Sequence, residues 1–247
     1  MLDYGKEADR YDASRGGEPR ADAAAAAVLS LLPGATRTLL DVGCGTGLVT
    51  RRFADRPGLR VTGVDATYAM ARMAARRVPG AIVLGDSRRL PFPDAEFDAV
   101  TAVWLLHLLA DQEEARTVVA ECARVLRPGG VLVTTVDKAV SHNVGSDIDA
   151  AIAGRPIRAA VDGSARVASY AADCGLVAAG RARFRGHGQG RSPRSTVEDL
   201  YRGWFTSIPP DSAMARGYAE RLAELPDQEV RRPDPEFSLR AFRKPPA

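Results

Sequence analysis

The stretch Leu39-Leu40-Asp41-Val42-Gly43-Cys44-Gly45-Thr46-Gly47 constrains this chain more than any other. A short, mostly apolar run stops at three alternate glycines, and a helical pattern follows. Such a run predicts a strand buried on both faces, as in a parallel sheet. Glycine lets the backbone turn tightly and lets a ligand approach it. The helix start behind the turn presents N–H groups and the positive end of a dipole. A dinucleotide fingerprint, G-x-G-x-x-G, would place its third glycine at position 48, which is Leu48. The spacing here is G-x-G-x-G, with Asp41 two residues ahead.

The rhythm continues downstream. Helical patterns over 48–55, 68–78 and 113–126 alternate with apolar strand-like runs over 38–42, 60–64, 81–84, 97–103 and 131–136. Pro57-Gly58, Pro79-Gly80 and Pro128-Gly129-Gly130 punctuate them. Strand–helix–strand repetition demands right-handed crossovers and a parallel sheet covered on both faces. Beyond Asp137 the pattern weakens. Helices are predicted over 147–153, 164–174, 197–205 and 213–225, and strands over 176–184 and 237–243. Residues 1–36 read as a polar start followed by an alanine-rich helix. The whole chain, 1–247, reads as one domain: an N-terminal cap (1–36), a core (38–136), and insertions at 138–163 and 185–236.

Composition narrows the class. With 247 residues, 45% hydrophobic and 26% charged, the chain can bury a real core and is not disordered. No stretch reaches the roughly 18 apolar residues of a membrane helix, and the run 23–32 lacks the basic start of a signal peptide. Three scattered cysteines give neither a disulfide framework nor a metal spacing, so a reducing, cytoplasmic setting is expected. The net charge of +3 is dispersed and rests on arginine, with only Lys6, Lys138 and Lys244 as lysines. No nucleic-acid stripe is visible.

Two further acids fall at strand ends. Asp65 closes Val61-Thr62-Gly63-Val64-Asp65, where a carboxylate is placed to take both hydroxyls of a ribose. Asp86-Ser87 follows the third strand; there a carboxylate can accept from an exocyclic amine and the Ser87 amide can donate to a ring nitrogen. Asp86 reads equally as a turn cap.

In register, Asp41-Val-Gly-Cys-Gly-Thr-Gly, Asp65, Gly85-Asp86, Leu90-Pro91-Phe92-Pro93-Asp94, Phe97-Asp98 and Arg124-Val-Leu-Arg-Pro-Gly-Gly130 resemble the class I methyltransferases that use S-adenosylmethionine. The nearest subgroup is methyltransferase type 11, which includes ubiquinone/menaquinone C-methyltransferases and many small-molecule enzymes. The resemblance covers residues 38–136, with an echo in Tyr11-Asp12-x-x-Arg15. It implies an α/β, Rossmann-like seven-stranded sheet of order 3-2-1-4-5-7-6, the last strand antiparallel, capped by the N-terminus and the inserted segments.

It also implies roles. Gly43, Cys44, Gly45 and Gly47 would pack against the methionine part of S-adenosylmethionine, Asp65 with Ala66 would hold the ribose, and Asp86 with Ser87 would read the adenine. Met70 would cover the adenine face, or simply pack the core. Tyr4, Tyr11 and Arg15 match the mobile cap. Val103 and Trp104 fall where the methyl donor points, though Trp104 also reads as a hydrophobic lid. His107, between leucines, is a candidate general base or a structural histidine; His142 and His187 lie in the insertions.

Methyl transfer is an in-line displacement and requires no metal. The protein supplies alignment and water exclusion, worth ~7–11 kcal/mol when well executed. No Asn-Pro-Pro-Tyr motif follows the fourth strand and no Pro-Cys pair is present, which disfavours base methylation. The expected acceptor is a hydroxyl- or amine-bearing small molecule. C-methylation of a quinone-like acceptor, a nicotinamide-dependent oxidoreductase and a non-catalytic cofactor-binding protein are the alternatives. Arg181, Arg183, Arg185, Arg191 and Arg194 suggest an acidic or phosphorylated acceptor, or merely reflect arginine bias. No membrane partner is expected, and homo-oligomerisation stays open.

Overall fold

The computed structural model describes residues 12, 16–156, 160–205 and 207–246. Its strands are β1 (Thr38–Val42), β2 (Arg60–Asp65), β3 (Ile82–Leu84), β4 (Phe97–Ala102), β5 (Leu126–Val136), β6 (Val177–Arg185) and β7 (Glu236–Arg243). They form one sheet of order β3-β2-β1-β4-β5-β7-β6, with β7 antiparallel to both neighbours. This is the order expected from the sequence.

Alternation along the strands sorts side chains into two cores. Leu39, Val131 and Val133 pack against Ala24, Ala25 and Val28 of α1 (Gly17–Ser30) and Phe53 of α2 (Leu48–Ala54). Leu40, Val100 and Leu132 face the other way, toward Val118, Val119 and Cys122 of α4 (Gln112–Val125) and Val167 and Tyr170 of α7 (Ser164–Asp173). Each such side chain contributes roughly 1.5–3 kcal/mol of burial. Between them α3 (Tyr68–Arg77) buries Met70, Ala71 and Ala74.

The two insertions meet away from the sheet. The first carries α5 (Lys138–Ser141) and α6 (Asp147–Ala151), the second α8 (Pro193–Tyr201) and α9 (Ala213–Ala223). Ile148 and Ile152 join Leu200, Ile208, Tyr218 and Leu222 in a third core of their own. Arg232 pairs with Asp147 at 2.6 Å across it. Among the described residues no helix is long and apolar enough to cross a membrane.

Two element starts differ from expectation by four residues or more. Helix α8 starts at Pro193, not 197, because Ser192 caps it: its side chain accepts from Ser195 N–H, with Pro193 at the first turn. Strand β5 starts at Leu126 rather than 131, because Leu126 already pairs with Phe97 before an irregularity restores register at Ala99 and Val131.

Candidate nucleoside-binding cleft

The C-terminal end of β1 turns through Gly43, whose N–H donates to Val64 O at 2.8 Å, as Cys44 N–H does at 3.0 Å. The turn is thereby pinned to the end of β2. Gly45 adopts φ +57° with open space where a Cβ would stand, so its backbone faces the cleft bare. Gly47, at φ +80°, is needed for packing instead. A Cβ there would lie 2.8 Å from the Cα of Ala74, so this glycine lets α2 start against α3.

Asp65 ties these pieces together. Its Oδ2 accepts from Gly45 N–H and its Oδ1 from Thr67 N–H, both at 2.8 Å. Burial raises its pKa against these hydrogen bonds. Asp41 is 3% exposed and accepts from the hydroxyls of Thr50 (2.7 Å) and Thr101 (2.8 Å). Burial outweighs both bonds and pushes its pKa up to about 6. A buried carboxylate, Asp41, and a half-buried one, Asp65, thus line one wall.

Asp12 closes over the turn. It accepts from Thr46 Oγ1 at 2.6 Å and pairs with Arg77 at 2.6 Å, while Arg77 also donates to Thr46 O.

The far wall is Trp104, just past β4. It sits at φ +57°, a left-handed conformation costly for a bulky residue, and its N–H donates to Thr135 Oγ1 at 2.7 Å. The indole packs edge-on against Phe184 (5.4 Å) and Phe237 (5.7 Å), and His142 meets Phe237 at 5.4 Å. The guanidinium carbon of Arg20, in α1, lies 4.1 Å from the indole centroid, and Arg20 is only 8% exposed.

One cleft with about 980 Å³ of empty space, part of it open solvent, brings together Asp41, Gly43, Cys44, Gly45, Asp65, Ala66, Met70, Ser87, Val103 and Trp104. Three predicted residues stand outside its lining. Gly47 packs as described. Asp86 turns outward, its side chain 44% exposed and bonded to Arg88, which also pairs with Glu114 and holds the Asp86 pKa below its ordinary value. His107 lies in the 3₁₀ turn Leu106–Leu108, whose neighbours Leu105 and Leu108 line the cleft while the imidazole does not. Tyr4, Tyr11 and Arg15 lie outside the described residues. The sequence reading gave no site role to Asp12, Arg20, Thr46, Leu48, Val49, Val64, Thr67, Gly85, Leu105 and Leu108. Among the described residues no group of three or more His, Cys, Asp or Glu side chains is placed to hold a metal ion.

The later motif residues are structural. Arg124 donates to Phe92 O (2.8 Å), Leu90 O (3.0 Å), Asp94 and Glu121, and Glu121 accepts from Leu90 N–H at 2.7 Å. Asp98 accepts from Arg37 N–H and Thr38 N–H and pairs with Arg127.

A glycine turn and an acid at neighbouring strand ends, opening on a cleft at the C-terminal edge of the sheet, make up the arrangement in which α/β folds of Rossmann-like type present a nucleoside site. Residues 40–134 match the family described as a methyltransferase domain. The demethylmenaquinone methyltransferase of Thermotoga maritima is 38% identical over 97 residues, covering 38% of this chain and 41% of that protein. The 27-O-demethylrifamycin SV methyltransferase of Amycolatopsis mediterranei is 36% identical over 119 residues, covering 45% and 43%. The [4+2]-cyclase SpnF shares the fold, with a TM-score of 0.60 at 20% identity over 99% of this chain and 94% of that one. The chain spans about half or less of the length of the curated relatives it matches.

Proposed function

We propose that this protein transfers a methyl group from S-adenosylmethionine to a hydroxyl or amine of a small molecule. The observation that carries the reading is the cleft bounded by Gly43, Gly45 and the carboxylates of Asp41 and Asp65, inside the segment that matches the methyltransferase domain family. The donor set suits an adenosine with a cationic side chain: two carboxylates for its charge and ribose hydroxyls, and Met70, Val64 and Leu108 for apolar contact.

When bound, S-adenosylmethionine supplies a sulfonium methyl whose leaving group departs neutral. Asp65 holds the ribose and, through Gly45 N–H, the turn itself. Asp41 faces the positive charge. Ser87 contributes at the adenine end. Asp86 does so only through the turn it caps, since Arg88 occupies its carboxylate. Val103, Leu105 and Leu108 exclude water, and Trp104 walls the acceptor side. The acceptor is enclosed by segments 1–36, 138–163 and 185–236, since loops on a rigid frame carry specificity.

The local identity to a protein named as a rifamycin O-demethyl-form methyltransferase favours a hydroxyl acceptor. That to a demethylmenaquinone methyltransferase supports C-methylation of a quinone-like acceptor as the second reading. Fold does not decide between methyl transfer and other chemistry, as the cyclase of the same fold illustrates. Calorimetry with S-adenosylhomocysteine and NADH, followed by isotope transfer from labelled donor to hydroxyl, amine and quinol acceptors, tests the proposal. Binding of NADH in place of S-adenosylhomocysteine refutes it.

A further inference from the structure

Arg77 closes the last turn of α3 and stays out of the lining of the cleft, yet it reaches the glycine turn. It donates to the backbone oxygen of Thr46 and pairs with Asp12 at 2.6 Å, while Thr46 Oγ1 donates to the other oxygen of Asp12 at 2.6 Å. The three residues form a closed ring. Thr46, only 4% exposed, stands between Gly45 at φ +57° and Gly47 at φ +80°. A glycine on either side leaves the backbone free to take many shapes, so a fixed turn needs outside anchors. Asp65 ties Gly45 from the end of β2, and Gly47 rests on Ala74, three residues before Arg77. The ring holds Thr46 by its hydroxyl and by its carbonyl. The same helix follows Thr67, whose N–H donates to Asp65, and presents Met70 to the cleft. Helix α3 therefore braces both the acid at the end of β2 and the turn at the end of β1.

We propose that Arg77 is a positioning residue for the cofactor: with Asp12 it fixes Thr46, and so the shape of the turn against which the amino-acid part of S-adenosylmethionine lies. The strand order locates that part. With the ribose at the end of β2 and the adenine beside β3, the 5′ substituent of the nucleoside runs toward β1, whose end is this turn. Arg77 acts from outside the lining, through Thr46 and Asp12. Arginine suits the task because two nitrogens of one planar group donate at once, here to a carbonyl and to a carboxylate. This deepens the proposed methyl transfer and rests on it.

Binding of S-adenosylhomocysteine and of 5′-methylthioadenosine, which lacks the amino-acid part, is measured calorimetrically in the parent and in variants. R77M lowers S-adenosylhomocysteine affinity about tenfold or more, as loss of a charged hydrogen-bond partner does, and changes 5′-methylthioadenosine affinity less than about threefold. D12A acts in the same direction. The D12A/R77M double variant loses less than the product of the two single losses, because either change opens the same ring. Should R77M fail to fold, T46V, which keeps the carbonyl and removes the hydroxyl, lowers S-adenosylhomocysteine affinity severalfold with the same selectivity. Equal weakening of both ligands overturns the inference, because Arg77 then serves the fold as a whole. Unchanged S-adenosylhomocysteine affinity in R77M or T46V overturns it too, as do single losses that multiply in the double variant. Failure of the parent protein to bind S-adenosylhomocysteine instead refutes methyl transfer itself.

Discussion

The Asp65 carboxylate accepts the backbone N–H of Gly45 at 2.8 Å, so the acid at the end of β2 holds the turn at the end of β1. Asp65→Ala therefore unties the turn and, on the proposed function, removes the ribose contact as well. S-adenosylhomocysteine affinity is expected to fall by at least ~1–3 kcal/mol, the cost of a lost charged hydrogen-bond partner. Calorimetry showing unchanged affinity would exclude the ribose role.

Asp41 makes stability depend on pH in an identifiable window. Its folded pKa, about 6, lies above the ordinary 3.8, so the fold favours the protonated form. The stability it contributes is complete below about pH 4 and is lost as pH rises through 6, by ~3 kcal/mol in all. Asp65 is shifted in the same direction. Thermal melting of the parent and Asp41→Asn from pH 4 to 7 should show the variant gaining relative stability as pH rises. A pH-independent difference would contradict the burial argument.

His107 tests how far motif position predicts role. The imidazole does not line the cleft, although Leu105 and Leu108 do. His107→Ala should lower kcat less than about tenfold, below the 10²–10⁴ range expected of a general base. A loss of a hundredfold or more at unchanged cofactor affinity would reinstate it.

Arg124 belongs to the sequence pattern yet binds only protein. Arg124→Met breaks its bonds to Leu90, Phe92, Asp94 and Glu121 and should cost about 2 kcal/mol in denaturant unfolding. Cofactor affinity should stay within about threefold; a larger drop would mean the motif acts at the site.

The parallel strands β1 to β5 were readable because each carries a short apolar run with glycine, proline or an acid near its end, signals that lie within a few residues. The cleft's β1–β2 end was readable for the same reason. At its far end Val103 and Trp104 were readable, but Arg20 was not. Arg20 looks like any arginine beside an alanine-rich helix, and its burial depends on Trp104, far along the chain. Asp86 was misdirected by Arg88, a neighbour whose fork captures the carboxylate. The start of α8 could have been found, since Ser192-Pro193 is a capping signal in plain view.

Strand β7 lies between β5 and β6, although β6 leaves the ribosome some fifty residues earlier. A nascent chain therefore holds β6 without its partner β7 while the segment 186–235 is being made, and an unpaired strand edge invites association with other chains. The helices built during that interval, with their private core, give the growing polypeptide something compact to form while the sheet waits for its final insertion.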